Sequence, residues 1–357
     1  MDSYFIKTNL KNLRRDELIK CNNKIRMNYN ENYMDIPEDI KKLVSEYILK
    51  SCSFNRYPDD ECLELKEELS RYVGVDIKNI LVGNGADQII QFVMNAFICP
   101  RDKVLCPFPS YEIFEVMTQL YEGIVTRYNL YDGEMFNYNK SEIIKIYKMS
   151  QPKIIMICSP NNPTGNIINR EFLTEILEVC NQSLIVVDEA YGEFCDVGFA
   201  SLVKNYNHLL VIKTLSKAYS LAGIRCGYLI GSEEIISQVR KVVPDFNVSA
   251  FTQFISLTAL KNRSIFMERL KHIAEEREYL FNNLLKIKSI AVFPSNTNFL
   301  LIQSITSDNI FEELLENGIL IKCYVHEELR DFYRVTVGDR MQNDLLIRVF
   351  RKLDGDK

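Results

Sequence analysis

The chain has 357 residues, of which 25% are charged, and a formal net charge of -5. This length exceeds what one small core can organise and predicts about two domains, while the scattered charges argue against nucleic acid as the main partner. No segment approaches the ~20 apolar residues that span a membrane, and the first fifteen residues lack the apolar core of a signal peptide, so we expect a cytoplasmic protein.

The ten cysteines contain no C-x-x-C pair, and several lie within apolar runs. This pattern is typical of a reduced intracellular protein and not of a disulfide framework. The histidines, His208, His272 and His326, lack ligand-like spacing, so we predict no metal site.

Short apolar runs rich in Val and Ile alternate with amphipathic segments, such as 87–97 and 113–120, through the first two thirds of the chain. The predicted strands are 79–82, 103–106, 153–158, 184–187, 209–212 and 226–230. Strands that are apolar throughout and separated by helices indicate an α/β fold with a mostly parallel sheet covered by helices.

The pattern changes near Val243, where a long helical region at 250–285 begins. Four strands are predicted after it, and a last helix at 343–352; the strands are 290–293, 299–303, 319–322 and 333–337. We therefore expect an arm at 1–32, a large domain at 33–243 and a smaller α+β domain at 244–357. The arm is expected to pack on the small domain or on a partner subunit.

In an open α/β sheet, ligands bind at the carboxyl ends of the strands, so the residues after each strand are candidates. The first motif is Gly83-Asn84-Gly85-Ala86-Asp87-Gln88. Glycines at a helix start expose backbone N–H groups, and the helix dipole favours an anion there. Gln88 replaces the third glycine of the dinucleotide fingerprint, and a tight strand–helix turn explains the motif equally well.

Two proline-containing loops follow the next strands. Tyr111, in Pro107-Phe108-Pro109-Ser110-Tyr111, could stack on a flat ligand, or it could be an ordinary half-buried tyrosine. Asn162 lies in Ser159-Pro160-Asn161-Asn162-Pro163-Thr164-Gly165, where two prolines fix the loop. Its amide could donate a hydrogen bond to a ligand, or the segment could be a plain Asn-Pro turn.

A carboxylate and a lysine follow two further strands. Asp188, in Asp188-Glu189-Ala190-Tyr191, needs a cationic partner or several donors if it is buried, and a helix N-cap is the alternative. Lys217, in Thr214-Leu215-Ser216-Lys217, could be desolvated, which lowers its pKa and frees a nucleophilic amine. Arg225 could hold a phosphate with the hydroxyls of Thr214 and Ser216; the alternative is a polar surface loop.

Taken in order, these motifs resemble the class I/II aminotransferases, and among these the histidinol-phosphate aminotransferases. The shared pattern runs from Asn30-Glu31-Asn32 to Arg334-Val335-Thr336-Val337-Gly338. The resemblance implies the fold type I of transferases that depend on pyridoxal 5′-phosphate (PLP). It also implies amino transfer between an amine or amino acid, phosphorylated as in histidinol phosphate, and a 2-oxo acid such as 2-oxoglutarate.

The resemblance also implies roles for individual residues. Lys217 matches the lysine that bonds to the cofactor and carries the proton, and Asp188 matches the partner of the pyridine nitrogen. Tyr111 matches the stacking ring, and Tyr191 and Asn162 match the groups that bind the phenolic oxygen. The expected phosphate ligands are Gly85, Ala86, Asp87, Thr214, Ser216 and Arg225.

Tyr57 matches a tyrosine that reaches the cofactor phosphate of a neighbouring subunit, which implies a homodimer with shared active sites. Arg334 matches the arginine that binds the anionic group of the small-molecule substrate, near Asn162. The family usually has arginine where this chain has Lys322, which keeps the charge but loses the bidentate fork. Tyr33-Met34 also replaces the usual proline and aromatic residue. Both departures concern the substrate and leave the cofactor chemistry untouched.

Three alternatives stay open. A threonine-phosphate decarboxylase shares the Asn-Asn-Pro-Thr-Gly and lysine motifs, but its usual His-Gly-Gly-Asn segment is missing here. A general aromatic or other amino-acid aminotransferase would use the same cofactor residues. A regulatory or binding protein on this fold would be expected to lack Lys217 or Asp188, and both are present.

Overall fold

The computed structural model describes residues 9–10, 25–306 and 310–355, so Cys21 and most of the predicted arm lie outside the described residues. The strands are β1 (Ile25–Met27), β2 (Ile80–Gly83), β3 (Lys103–Phe108), β4 (Ile124–Asn129), β5 (Ile154–Cys158), β6 (Leu184–Asp188), β7 (Leu209–Thr214), β8 (Gly227–Ile230), β9 (Ile290–Val292), β10 (Phe299–Ser304), β11 (Ile319–Cys323) and β12 (Phe332–Thr336). The helices are α1 (Glu38–Lys50), α2 (Leu63–Val73), α3 (Ala86–Phe97), α4 (Ile113–Leu120), α5 (Lys140–Ser150), α6 (Arg170–Val179), α7 (Glu233–Arg240), α8 (Ala250–Lys261), α9 (Arg263–Leu284), α10 (Ile310–Glu316) and α11 (Arg340–Leu353).

Seven strands form the larger sheet, in the order β2-β8-β7-β6-β5-β3-β4. Its neighbouring strands run parallel except for β8, which is antiparallel to both β2 and β7. The predicted mostly parallel α/β sheet is confirmed. The carboxyl ends of β3, β5, β6 and β7 therefore open at one edge, where the predicted motifs follow them.

The central strands are apolar throughout because both faces of the sheet are covered. In β5, Ile155 and Ile157 join one core, and Ile154 and Met156 join the other. Helices α2, α5, α6 and α8 contribute to the first core, and α3, α4 and α7 contribute to the second. Burial of this apolar surface is the main force that holds the layers together.

Five strands form the smaller sheet, in the order β1-β11-β12-β10-β9. Strand β1 is parallel to β11, and the other pairs are antiparallel. Helices α9, α10 and α11 pack against this sheet around a third core. The sequence predicts one helical region at 250–285, but the structure has two helices that meet at Asn262. Helix α8 packs into the core of the large sheet through Ile255 and Leu260, and the domain boundaries stay a prediction.

The described cysteines, all of the ten except Cys21, are free thiols. Within the described ranges, no helix is long and apolar enough to cross a membrane.

Candidate active site

A cavity of about 290 Å³ opens where the carboxyl ends of the large sheet face β12 of the small sheet. Most of the predicted site residues line it, namely Ala86, Asp87, Tyr111, Asn162, Asp188, Tyr191, Thr214, Ser216, Lys217, Arg225 and Arg334. Gly85 precedes the first turn of α3 beside the cavity. Lys322 lines a neighbouring cavity together with Arg334, and Tyr57 lies elsewhere on the surface.

Lys217 follows β7 and points its amine into the cavity. Its Nζ donates to the backbone oxygen of Tyr29 at 2.8 Å. Loss of hydration, with the positive charge of Arg334 adding to it, lowers the pKa of Lys217 to about 8. A larger fraction of the amine is therefore neutral near pH 7 than for an ordinary lysine, as a nucleophile toward an aldehyde requires.

Asp188 ends β6 with its side chain only 2% exposed. Its Oδ1 accepts from the N–H of Ala190 at 2.8 Å, and it forms no ion pair with any described residue. Burial, with the charges of Asp87 and Glu189 adding to it, raises the pKa of Asp188 to about 7. The next helical turn begins only at Gly192, so Asp188 is not its N-cap. A buried carboxylate facing a cavity fits a cationic partner, and a protonated pyridine nitrogen is such a partner.

An anion site is assembled at the start of α3. Gly85 has a left-handed φ of 83°, and a Cβ there would lie 2.5 Å from a nitrogen of Arg225. The guanidinium is held by Asp87 at 3.1 Å. The Thr214 hydroxyl donates to the Ser216 hydroxyl at 2.9 Å, and both residues line the cavity. A helix N-terminus, a guanidinium and two hydroxyls on one cavity match the needs of a phosphate.

Tyr111, Tyr191 and Asn162 line the same cavity as Asp188 and Lys217. The Tyr111 hydroxyl donates to Asp87 at 2.8 Å, which fixes its ring on the cavity wall. The Tyr191 hydroxyl accepts from Asn30 at 2.8 Å, so its own hydrogen is left to donate. Asn162 accepts from Arg334 through Oδ1, which leaves its NH₂ group to donate. Two donors therefore remain for an oxygen on a ring bound here.

Tyr29 and Asn30 belong to the cavity wall, but the residue-by-residue reading of the sequence gave them no role. Asn30 has a left-handed φ of 54° and donates from its backbone to Thr336 at 2.9 Å. The Asn30-Glu31-Asn32 motif was the available signal, although it does not indicate that Asn30 bonds to Tyr191.

Arg334 is a buried cation, 7% exposed, that lines both the cavity and the passage next to it. It donates to Asn162 and to the backbone oxygen of Asn28, while its Nε has no partner among the described residues. It forms no ion pair within the described part of the chain. A buried guanidinium without a carboxylate favours binding of an anion.

Lys322 lies beside Arg334, because the two residues are paired across β11 and β12. Both line a passage of about 200 Å³ that adjoins the main cavity. The Lys322 ammonium is 3.6 Å from the carboxylate of Glu112.

Tyr57 is 80% exposed, and its ring stacks on Phe246 with centroids 4.5 Å apart. Phe54, three residues earlier, is 74% exposed and packs against Phe251 with centroids 5.6 Å apart, so this segment carries two largely exposed aromatic side chains.

Comparison with known proteins gives a consistent result. The family model for aminotransferase class I and II matches residues 22–350. A histidinol-phosphate aminotransferase from Ruminiclostridium cellulolyticum is 38% identical over 325 residues, which cover 91% of each chain. The crystal structure of the histidinol-phosphate aminotransferase from Clostridium acetobutylicum superposes with a TM-score of 0.84 at 26% identity, covering 93% of this chain and all of that one. The enzyme of that name from Sinorhizobium meliloti, in complex with pyridoxal-5′-phosphate, matches in fold with a TM-score of 0.88 at 20% identity, covering 98% of each chain.

Proposed function

Because the chain belongs to the class I and II aminotransferases, we propose that it transfers an amino group between a phosphorylated amine and a 2-oxo acid. It is a PLP-dependent aminotransferase of fold type I. Histidinol phosphate is the first amine to test and 2-oxoglutarate the first acceptor. The observation that carries this choice of substrate is the pair of neighbouring cations, Arg334 and Lys322, on one passage that shares Arg334 with the cavity of Lys217.

When bound, PLP would supply an electron sink next to the substrate carbon that loses its proton. Lys217 would bond to the cofactor aldehyde and move the proton. Its lowered pKa supports both roles. An amine whose pKa is close to neutral pH is partly uncharged, so it can add to a carbonyl and can accept and return a proton.

Asp188 would hold the proton on the pyridine nitrogen. The carboxylate has one hydrogen-bond donor and no cation among the described residues, so a pyridinium would satisfy it. By keeping that nitrogen protonated, the carboxylate would preserve the positive ring charge that allows the ring to accept electrons.

The remaining cofactor contacts are proposed from the positions of the side chains. The N-terminus of α3 and Arg225 would bind the phosphate, with Thr214 and Ser216 opposite. Tyr111 would lie against the ring, and Asn162 and Tyr191 would donate to its phenolic oxygen.

The anionic part of the substrate is assigned to Arg334 and Lys322. A phosphate with two charges can use both cations, whereas a single carboxylate is satisfied by the Arg334 fork alone. The Glu112 carboxylate lies 3.6 Å from the Lys322 ammonium and partly neutralises it. Because the Glu112 side chain is largely exposed, this ion pair is weak and can rearrange.

We further propose a C₂ homodimer in the cytoplasm, with the domain division near Val243. The exposed apolar face around Tyr57 supports the dimer, since large uncovered apolar side chains usually mark an interface. In such a dimer, Tyr57 would reach the cofactor phosphate of the partner subunit. Free thiols throughout the described cysteines support a reducing compartment.

A substrate panel tests the proposed function. The purified enzyme is incubated with histidinol phosphate, histidinol, an aromatic amino acid or threonine phosphate, each with 2-oxoglutarate. Glutamate formation and carbon dioxide release are both measured. Glutamate formed fastest from histidinol phosphate supports the proposal. Equal rates with the unphosphorylated amines would favour a general aminotransferase, and carbon dioxide from threonine phosphate would favour the decarboxylase.

A further inference from the structure

Three charged side chains are buried together behind the cofactor cavity. The Lys213 ammonium lies 3.0 Å from Glu189 and 3.1 Å from Glu193, and the three side chains are 10%, 1% and 3% exposed. Lys213 lies on the same face of β7 as Val211, whereas its neighbour Ile212 faces the opposite core. The ion cluster and the cofactor cavity thus lie on different faces of the same strand ends.

The cluster holds one cation against two carboxylates. Glu189 also accepts from the backbone N–H of Phe199 at 2.6 Å, and Glu193 accepts from the Tyr72 hydroxyl at 3.3 Å. The second oxygen of Glu193 has no partner among the described residues. Burying charges costs free energy that pairing only partly returns, so such a cluster is weak support for stability. We therefore expect the cluster to have a role beyond stability.

The positions of the three residues in the chain indicate that role. Glu189 directly follows Asp188, Glu193 comes two residues after Tyr191, and Lys213 directly precedes Thr214. The ladder between β6 and β7 ends at the pair Asp188 and Ile212, with one further backbone bond from Glu189 to Ile212 at 2.8 Å. Beyond that point, the ion cluster links the two strand ends.

Gly192 allows this close approach. A Cβ at Gly192 would lie 3.0 Å from the Lys213 ammonium and 3.2 Å from the Cβ of Glu189. A residue with a Cβ here would require Lys213 or Glu189 to move by a few tenths of an ångström, so the turn after Tyr191 packs tightly against the cluster.

We propose that Lys213, Glu189 and Glu193 are positioning residues that fix the strand end carrying Asp188 relative to the strand end carrying Lys217. The proposal rests on the cofactor roles given above for these two residues. The cluster would thereby fix the distance between the Asp188 carboxylate and the Lys217 amine, and the cofactor ring must fit within that distance. A misplacement of about 1 Å at a reacting centre can cost ~10²-fold in rate, so the effect is measurable.

Two variants separate positioning from stability. Glu189→Gln leaves one lysine paired with one glutamate, so every remaining buried charge keeps a partner while the tie to the β6 end is loosened. The triple variant Lys213→Met, Glu189→Gln, Glu193→Gln removes all the buried charges and the cost of keeping them out of water, while the amide oxygens can still accept from Phe199 and Tyr72. Lys213→Arg, which keeps the cation, is the conservative control.

The measurements are the unfolding midpoint, the affinity of the cofactor-free protein for PLP, and kcat and KM. We expect both test variants to keep a midpoint near that of the wild type, to bind PLP more weakly, and to lose ~10-fold or more in kcat with KM little changed. Lys213→Arg should retain most of the activity. If both folded test variants keep kcat and PLP affinity within about twofold of the wild type, the cluster is only structural and the proposal is overturned.

A separate measurement tests the cofactor role of Lys217, on which this proposal rests. If borohydride treatment of the wild-type protein with PLP does not label Lys217, the cofactor role is wrong whatever these variants do. If Lys217 is labelled and the variants keep full activity, only the positioning role is wrong.

Discussion

Lys322 and Arg334 are cross-strand partners in antiparallel β11 and β12, so their side chains lie on one face of the small sheet. Paired residues have Cβ atoms only ~5 Å apart, and both cations line the same passage. Arg334 is anchored by Asn162 and Asn28, whereas Lys322 ends at the passage near Glu112. This arrangement is the basis for the proposal that the two cations share one dianionic phosphate.

Lys322→Ala should raise KM for a phosphorylated substrate about tenfold, the scale of one charge-assisted hydrogen bond. KM for the dephosphorylated analogue should change much less. Lys322→Arg should lower KM for the phosphorylated substrate, because the fork restores paired hydrogen bonds. Lys78→Ala, at an exposed surface pair with Glu233, is the control. An equal response of both analogues would show that Lys322 is not a phosphate ligand.

Asp188→Asn should lose at least ~10²-fold in rate, the scale of removing one electrostatic stabiliser in a dry site. PLP affinity should fall less than the rate, since the phosphate contacts stay. Asp76→Asn, which changes an aspartate that caps a surface turn, is the matched control. A near-normal rate for Asp188→Asn in steady-state assays would mean that the carboxylate has only a structural role.

The lowered pKa of Lys217 predicts a pH dependence of cofactor uptake. Only the neutral amine adds to an aldehyde, so the rate of PLP binding to cofactor-free protein should rise with pH and level off above about 8. Stopped-flow absorbance between pH 6 and 10 measures this. A rate still rising steeply at pH 10, as for an ordinary lysine, would contradict the burial of Lys217.

The same shift has a consequence for stability. The pKa of Lys217 is about 8 in the folded protein, against 10.5 for an unperturbed lysine, so the unfolded chain binds more protons between these values. The buried lysine therefore lowers the free energy of unfolding by its full amount below about pH 8. This destabilisation disappears as the pH rises toward 10.5. Cofactor-free Lys217→Met should lose this part of the pH dependence of the free energy of unfolding, as measured by denaturant titration.

Tyr57 gives a prediction about assembly. If Tyr57 reaches the partner's cofactor, Tyr57→Phe should weaken PLP binding, although the stack on Phe246 is kept. A mixture of Tyr57→Ala and Lys217→Ala proteins should regain activity after subunit exchange, because each hybrid dimer contains one complete site. A fully active monomer in sedimentation, or no recovery in exchanged hybrids, would exclude a shared site.

Much of the large sheet could be predicted because its strands are apolar throughout and its loops carry the motifs. Strand β4 was missed, since it is an edge strand whose residues, such as Ile124 and Arg127, are partly exposed. Helices α8 and α9 were merged, because the apolar pattern continues across Asn262.

The part of the cavity formed by the strand ends could be predicted, because the carboxyl ends of neighbouring parallel strands lie at the same edge of the sheet. Asn30 was missed because it reaches the site through a contact with Thr336, 306 residues away, and through the three-residue β1. Lys213 was missed for a related reason. Lys213 lies in an otherwise apolar strand, and its pairing with Glu189 and Glu193 depends on a turn that no local sequence pattern specifies.

The central claim is that Lys217 holds the cofactor, and one labelling measurement tests it most directly. Purified protein is loaded with PLP, reduced with borohydride, digested and mapped by mass spectrometry, with Lys217→Ala as control. We predict that the phosphopyridoxyl group is found on Lys217 and that the folded Lys217→Ala protein carries no label and has no turnover. A label on another lysine, or activity in the Lys217→Ala protein, would contradict the claim.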